Sequence, residues 1–189
     1  MASKLRVNQI EPVNGIPTGG GGGIIQMKFA SFTGTQTFTS AGKTDITSLS
    51  VTLTPHYTTS KLWIIGLVSI GPEYDSCQNV HIDVNGTEVG MGDAASNRTR
   101  AHSGGGYNNE NQDHYQMNGI PVNWVHSPAS TSAQTVKLQL SQTDNSGTSA
   151  YINRSSMDND AAWQGRYCLL YTSDAADEGL GVDLGGRRI

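Results

Sequence analysis

The chain has 189 residues, a formal net charge of −4, 15% charged residues and 23 glycines. That length holds one domain with a sizeable core and a short extension, and disordered chains usually carry more net charge. Mild acidity argues against nucleic acid as a partner, since phosphate binding needs clustered Lys and Arg. No apolar run is long enough to cross a bilayer as a helix, so no membrane insertion is expected.

Residues 1–15 read as an N-terminal attachment segment. Leu5-Arg-Val-Asn-Gln-Ile10 alternates as a short strand with Leu5 and Val7 on one face, and Glu11 to Gly15 ends it with turn residues. Met1 to Lys4 has no apolar stretch behind it and is not read as a signal peptide. Residues 16–23 form a Gly-rich linker, Gly19 to Gly23 in an unbroken run. It is not a phosphate loop, because no Gly-Lys-Ser/Thr follows it.

A β-sandwich module is expected over 24–167. Ile24 to Phe32 is its first strand, with Ile25, Met27 and Phe29 on one face. Leu49 to Leu53 alternates cleanly, which turns Leu49, Val51 and Leu53 inward, and Pro55 stops it. Lys61 to Ile70 is the most apolar run and rich in β-branched residues, so it reads as a central buried strand with Trp63 in the core. Val80 to Val84, then Asn85-Gly86, then Thr87 to Met91 is a hairpin with a type I′ turn, since both turn residues need positive φ. Gly92 to Asn118 is a long polar loop rich in Gly and Asn. Ile120 to Val125, Thr135 to Leu140 and Ser149 to Asn153 are further strands, and Trp124 is placed in the core or at a subunit interface. No segment carries helical apolar spacing with caps. The expected fold is all-β, an antiparallel sandwich of jelly-roll type.

Five motifs carry a family resemblance. Ser3 to Ile10 followed by a Gly linker, Thr54-Pro55 with Ser60-Lys61-Leu62, Asn79 to Gly92, Ser127-Pro128 with Thr135-Val-Lys137, and Ala150-Tyr-Ile-Asn-Arg154 stand in that order. Together they resemble the tail-fibre-like virion structural proteins of marine phages. His126 and Val136 depart from the pattern, which has an acid and a tyrosine there. The resemblance implies a β-sandwich tip, a homotrimer, contact with other virion proteins and a place on a phage tail appendage. It also implies a final strand after Tyr167.

At that point the chain changes character. Cys168-Leu-Leu-Tyr-Thr-Ser173 and Asp174-Ala-Ala-Asp177 resemble a translated sequencing adapter: TGT-CTC-TTA-TAC-ACA-TCT and GAC-GCT-GCC-GAC encode them. Gly181 to Ile189 matches the adapter's outer part, and Gly179-Leu180 would cover its variable index. Residues 168–189 are therefore read as an adapter-derived tail, outside fold reasoning. The tail holds four acids against Arg187 and Arg188, a net of −2, which leaves −2 for the remainder. Cys77 is then the one cysteine outside the tail, and no disulfide is expected.

The chemistry expected is recognition, with no catalysis. No G-x-S-x-G, H-E-x-x-H or C-x-x-C is present. His56, His81, His102, His114 and His126 are scattered, and Asp113-His114 reads as a solvated loop pair. Asp158-Asn159-Asp160 offers oxygen ligands but lacks the remaining positions of an EF-hand loop, so no metal or other cofactor is called for. Tyr107, Asn108, Asn109, Asn111, Gln112 and Tyr115 supply aromatic faces and short polar groups on one loop. Such residues give adaptable contacts in binding loops, and the partner expected is a host surface polysaccharide. Three rivals are a secreted bacterial carbohydrate-binding module, a purely structural shaft or decoration protein with no ligand, and a phage polysaccharide depolymerase, which would need a carboxylate pair and whose turnover would be lost on mutating Asp113 or Glu110.

Overall fold

The computed structural model describes residues 24–73, 76–105, 115–144, 149–162 and 164–176. The attachment segment 1–15 and the linker 16–23 lie outside the described residues. Eleven strands are present among the described residues: β1 (Ile24–Phe32), β2 (Gln36–Phe38), β3 (Thr44–Leu53), β4 (Lys61–Pro72), β5 (Ser76–Val84), β6 (Thr87–Val89), β7 (Ser103–Gly105), β8 (Asn118–His126), β9 (Gln134–Asp144), β10 (Ala150–Ile152) and β11 (Leu169–Ala176).

All pairings are antiparallel, and they sort into two sheets. The front sheet runs β1-β11-β4-β8, with β10 and β2 continuing beside the far end of β4. The back sheet runs β3-β9-β5, with β6 and β7 sharing the outer edge of β5. Setting aside the short β2, β6 and β10, the eight remaining strands numbered in chain order give sheets 1-8-3-6 and 2-7-4-5. That is the double Greek-key order of a jelly roll, the architecture expected from the turn spacing.

The core lies between the sheets. Leu62, Ile64, Val68 and Ile70 of β4 and Ile120 and Val122 of β8 meet Val80, Ile82 and Val84 of β5 and Val136, Leu138 and Leu140 of β9. In β3 the buried positions are Ile46, then Leu49, Val51 and Leu53, so the alternation slips by one residue. Between Asp45, paired with Gln139, and Ser50, paired with Lys137, the four residues 46–49 of β3 oppose a single residue of β9, and Ser48 there has a φ of 62°. This β-bulge keeps Ile46 and Leu49 on the same face.

The Asn85-Gly86 turn is as expected. Val84 pairs with Thr87, and Asn85 and Gly86 have φ of 52° and 83°. The Gly86 N–H donates to Asp83 Oδ1 at 3.0 Å, and the Thr135 N–H donates to Asn85 Oδ1 at 2.8 Å. The turn is thereby tied to β9 as well as to its own strands.

Two of the family-type motifs acquire physical meaning. Ser60 is buried and closes the turn before β4, its Oγ accepting from the Tyr57 N–H at 3.1 Å. In Tyr151-Ile152-Asn153-Arg154, Ile152 is core and Arg154 lies over the Tyr151 ring at 3.8 Å. Asn153 is fully buried with a φ of 61°. Its Nδ2 donates to the Phe32 and Gly34 carbonyls at 2.7 and 2.9 Å, and its backbone N–H to Ser69 O at 3.0 Å. Asn tolerates the left-handed conformation better than other side chains of its size, and its amide pins the end of β1 to β4.

Three expectations need correction. The stretch read as one loop from Gly92 contains the strand β7, and a further short strand, β2, precedes β3. Both are three residues long, too short to show alternation. A Cβ at Gly104 would lie 2.7 Å from Gln78 O, so β7 approaches β5 closely because it is built on glycine. Trp63 is not in the core: it is 38% exposed on the outer face of β4. The strand is central in its sheet, but only its inner face is buried.

Residues 168–189 were set outside the fold by the adapter reading. In the structure Leu169–Ala176 form β11, seated between β1 and β4, where the family resemblance calls for a last strand.

Candidate functional site

The outer face of the front sheet exposes large apolar side chains on β1, β4 and β8. Trp63 pairs with Val125 and Leu67 with Pro121 across β4 and β8. On the other side, β11 relays the same face to β1: Ile65 pairs with Thr172, which pairs with Phe29, and Trp63 with Asp174, which pairs with Met27. Directly opposed residues point to one side of a sheet. Phe29 is 73% exposed, Met27 56%, Val125 50% and Leu67 48%. The Trp63 Nε1–H donates to Asn123 Oδ1 at 2.8 Å, which ties the indole to β8. In β1 the alternation turns Met27 and Phe29 outward, while Gln26 and Lys28 hold the inward register positions.

The outer face of the back sheet is polar and internally satisfied. Lys137 Nζ and Gln139 Nε2 each donate to Asp45 at 2.7 Å, and these hydrogen bonds hold the Asp45 carboxyl below its usual range. Thr52 and Thr135 hydroxyls meet at 2.9 Å. His81 is fully buried between Ser141 and Glu88, and Lys43 pairs with the same Glu88 from outside. A carboxylate only accepts, so His81 Nδ1 carries the proton and donates to Glu88. Nε2 then accepts from Ser141 Oγ at 2.8 Å.

Ser141, His81 and Glu88 thus form a nucleophile–base–acid line such as hydrolases use. Ser141 is 2% exposed and His81 0%, so no substrate reaches either. The line is a lock across β5, β6 and β9. Sequence reading missed it because His81 and Ser141 are 60 positions apart and no motif joins them.

A concave site lies beyond the second motif. Asp158, Asn159, Asp160, Ala161, Gln164 and Arg166 line a cavity of about 310 Å³, at the small end of ligand pockets. Arg166 Nη2 reaches Asp158 Oδ1 at 2.7 Å and Arg154 Nε approaches Oδ2 at 3.8 Å. Gln164 Oε1 accepts the Asn159 N–H at 2.6 Å. With a guanidinium facing each oxygen of Asp158, a cation would meet competing positive charge there. Among the described residues, no three His, Cys, Asp or Glu side chains converge as metal ligands. The pocket instead presents amides, carboxylates and a guanidinium, which suit a neutral polar ligand.

Of the sequence-predicted binding residues, Tyr107, Asn108, Asn109, Asn111 and Gln112 lie outside the described residues, as do Glu110, Asp113, His114 and Trp163. Tyr115 is described and is 51% exposed. Trp124 lies edge-on to His102, with ring centroids 6.3 Å apart, and remains 40% exposed at the rim. No helix among the described residues is long and apolar enough to cross a membrane.

No family model matches the chain, and no curated protein matches it. Among solved structures, it is similar to that of infectious bursal disease virus Gt strain, at 12% identity and a TM-score of 0.41. The match covers 91% of this chain and 44% of that one. The Gx strain of the same virus matches at 13% identity and a TM-score of 0.39 over the same shares. The chain spans less than half the length of these matched chains.

Proposed function

We propose that this chain is a virion structural module of the tail-fibre type, which assembles as a homotrimer and carries a host-glycan-binding surface without catalysis. The observation that carries the reading is the outer face of the front sheet, where Met27, Phe29, Trp63, Leu67 and Val125 stand in water. At roughly 150–250 Å² for a fully exposed side chain of this size, they present on the order of 500 Å² of apolar surface. Monomers rarely leave a larger patch open, and one partner in a standard interface covers about 800 Å². The occupant proposed is a second copy of the chain, with the polar neighbours of the patch as its rim.

The five ordered motifs and the jelly-roll strand order support the virion assignment. Three weak sites on one trimer would gain avidity without any new contact. The glycan surface is assigned to the 107–115 segment and to the polar pocket at Asp158–Arg166. Glycan-array screening of the full chain tests this half. Binding to a surface polysaccharide is expected, weakened at least tenfold by deletion of 107–112 or by Asn159→Ala. A chain that binds no glycan, or whose binding ignores both changes, contradicts it. Release of reducing ends from the bound polysaccharide would move the reading to the depolymerase.

A further inference from the structure

We propose that the pocket at Asp158–Arg166 selects a neutral sugar residue over acidic and amino sugars, with the Asp160 carboxylate as the selecting group. The proposal rests on the glycan-binding reading of this pocket and adds to it the class of sugar and the residue that reads it.

The polar groups around the cavity divide into those engaged within the chain and those left open. Asp158 is engaged: Arg166 Nη2 reaches one of its oxygens at 2.7 Å, and Arg154 Nε stands 3.8 Å from the other. Arg154 is engaged as well, donating to Ser155 O at 3.0 Å and lying over the Tyr151 ring. Gln164 Oε1 takes the Asn159 N–H at 2.6 Å, and the Ala161 N–H donates to Asn159 O at 2.9 Å. These contacts hold the shape of the loop. Asp160 is exposed and lines the cavity, and among the described residues its carboxylate meets no partner. The same is true of the Asn159 side-chain amide. Arg166 has further N–H donors beyond the one given to Asp158. Gln164 Nε2, buried in the wall, has no acceptor among the described residues.

The open set is a negative acceptor, a positive donor and a neutral amide on one cavity. A hydroxyl both donates and accepts. Two neighbouring hydroxyls of a sugar therefore satisfy the set, one donating to Asp160 and the next accepting from Arg166, with the Asn159 amide free to take either role. An acidic sugar brings a second carboxylate to Asp160. An amino sugar brings an ammonium to Arg166. Like charge set against a competitor is a direct way to reject it, and a site with one open group of each sign rejects both kinds of charged sugar. The cavity, about 310 Å³, is at the small end of ligand pockets and suits a single ring. The Tyr167 ring lies against Gly165, between two lining residues, and is 47% exposed, so an aromatic face stands beside the cavity for the next residue of a polysaccharide.

The test is a titration of the full chain, followed through the NMR amide shifts of residues 158–166. The probes are the methyl glycosides of glucose, galactose and mannose, of their uronic acids and of their 2-amino sugars, at neutral pH. A neutral glycoside should bind about tenfold more tightly than its charged counterparts, the scale of one like-charge contact near a surface. Asp160→Asn keeps the size of the side chain and disturbs no internal contact. It should weaken the neutral glycoside about tenfold, as loss of a hydrogen bond to a charged group does, and abolish the discrimination against the uronic acid. Equal binding of neutral and uronic glycosides by the unaltered chain, a preference for the amino sugar, or indifference to Asp160→Asn overturns the proposal. Silence of 158–166 toward every glycoside overturns it too. The wider glycan reading then stands if the chain still binds polysaccharide and loses it on deletion of 107–112, and falls if no glycan binds at all.

Discussion

The outer face of the β3-β9-β5 sheet closes its polar groups on one another, whereas the outer face of the β1-β11-β4-β8 sheet leaves large apolar side chains in water. On the polar face, Asp45 is shared by Lys137 and Gln139, and Glu88 by Lys43 and His81. Those groups need no partner from outside. On the apolar face, Phe29 and Leu67 have nothing above them, and the Trp63 indole spends its one donor on Asn123 within the sheet. Both sheets contribute apolar rows to one shared core, so the core does not demand the difference. The contrast separates a face finished within the chain from one left open to solvent, the face proposed to meet a second copy.

The contrast can be tested first on a single strand. Ile64 and Trp63 are adjacent on β4 and face opposite ways, one fully buried and one 38% exposed. Ile64→Ala should cost about 2–5 kcal/mol in chemical denaturation, the range for emptying a core position. Trp63→Ala should cost far less in the isolated subunit and show itself in assembly. Equal losses would mean that the two faces of β4 have been wrongly assigned.

On the polar face, His81→Leu should destabilise by about 1–3 kcal/mol, because Ser141 and Glu88 each lose a partner in a buried place. The same residue predicts a pH dependence. Burial pushes the His81 pKa below 6.5, against the pull of its Glu88 hydrogen bond. The unfolded chain then takes up that proton before the folded one does. Stability is full above about pH 6.5 and falls as the pH drops through 6.5 toward the folded value. His126, also held low by burial, contributes with the same sign. Glu88 adds a second loss at lower pH. Burial alone would raise its pKa, but the hydrogen bonds from Lys43 and His81 outweigh that and bring it below 4.5. Its contribution is present above 4.5 and disappears as the pH falls through its folded value. Denaturation midpoints measured from pH 8 to pH 5 should decline, and His81→Leu should flatten the upper part of the curve. The smallest effect is expected at the exposed Lys137–Asp45 pair, where Lys137→Met should leave the midpoint nearly unchanged, and less changed still in high salt.

Much of this fold was legible in the chain. The Asn85-Gly86 hairpin was, because a two-residue turn with positive φ admits few residues. The inward row Leu49-Val51-Leu53 was, because one buried face and one polar face leave a period of two. The row of β4 was not, since Trp63, Ile65 and Leu67 are as apolar as Leu62 and Ile64 and alternation gives no sign of which set faces the core. The same holds for β1: the alternation groups Met27 with Phe29, but the grouping does not say that the two look outward. Strands β2 and β7 are too short to alternate. The His81 lock depends on ladder register between β5 and β9, which no local pattern encodes. The pocket at 158–166 arises where two arginines from either side of a loop meet one aspartate, and of its lining only Asp158 to Asp160 stand out in the sequence. The aromatic and amide cluster from Tyr107 to Gln112 falls outside the described residues, and Tyr115 alone can be placed.

Sedimentation velocity of the full chain at micromolar concentration, beside Phe29→Ser/Leu67→Ser, tests the central claim most directly. The unaltered chain should sediment as a trimer of 20.1 kDa subunits, and the double variant as a folded monomer. A monomeric unaltered chain, or a trimer indifferent to both substitutions, would contradict the assignment of the apolar face to assembly.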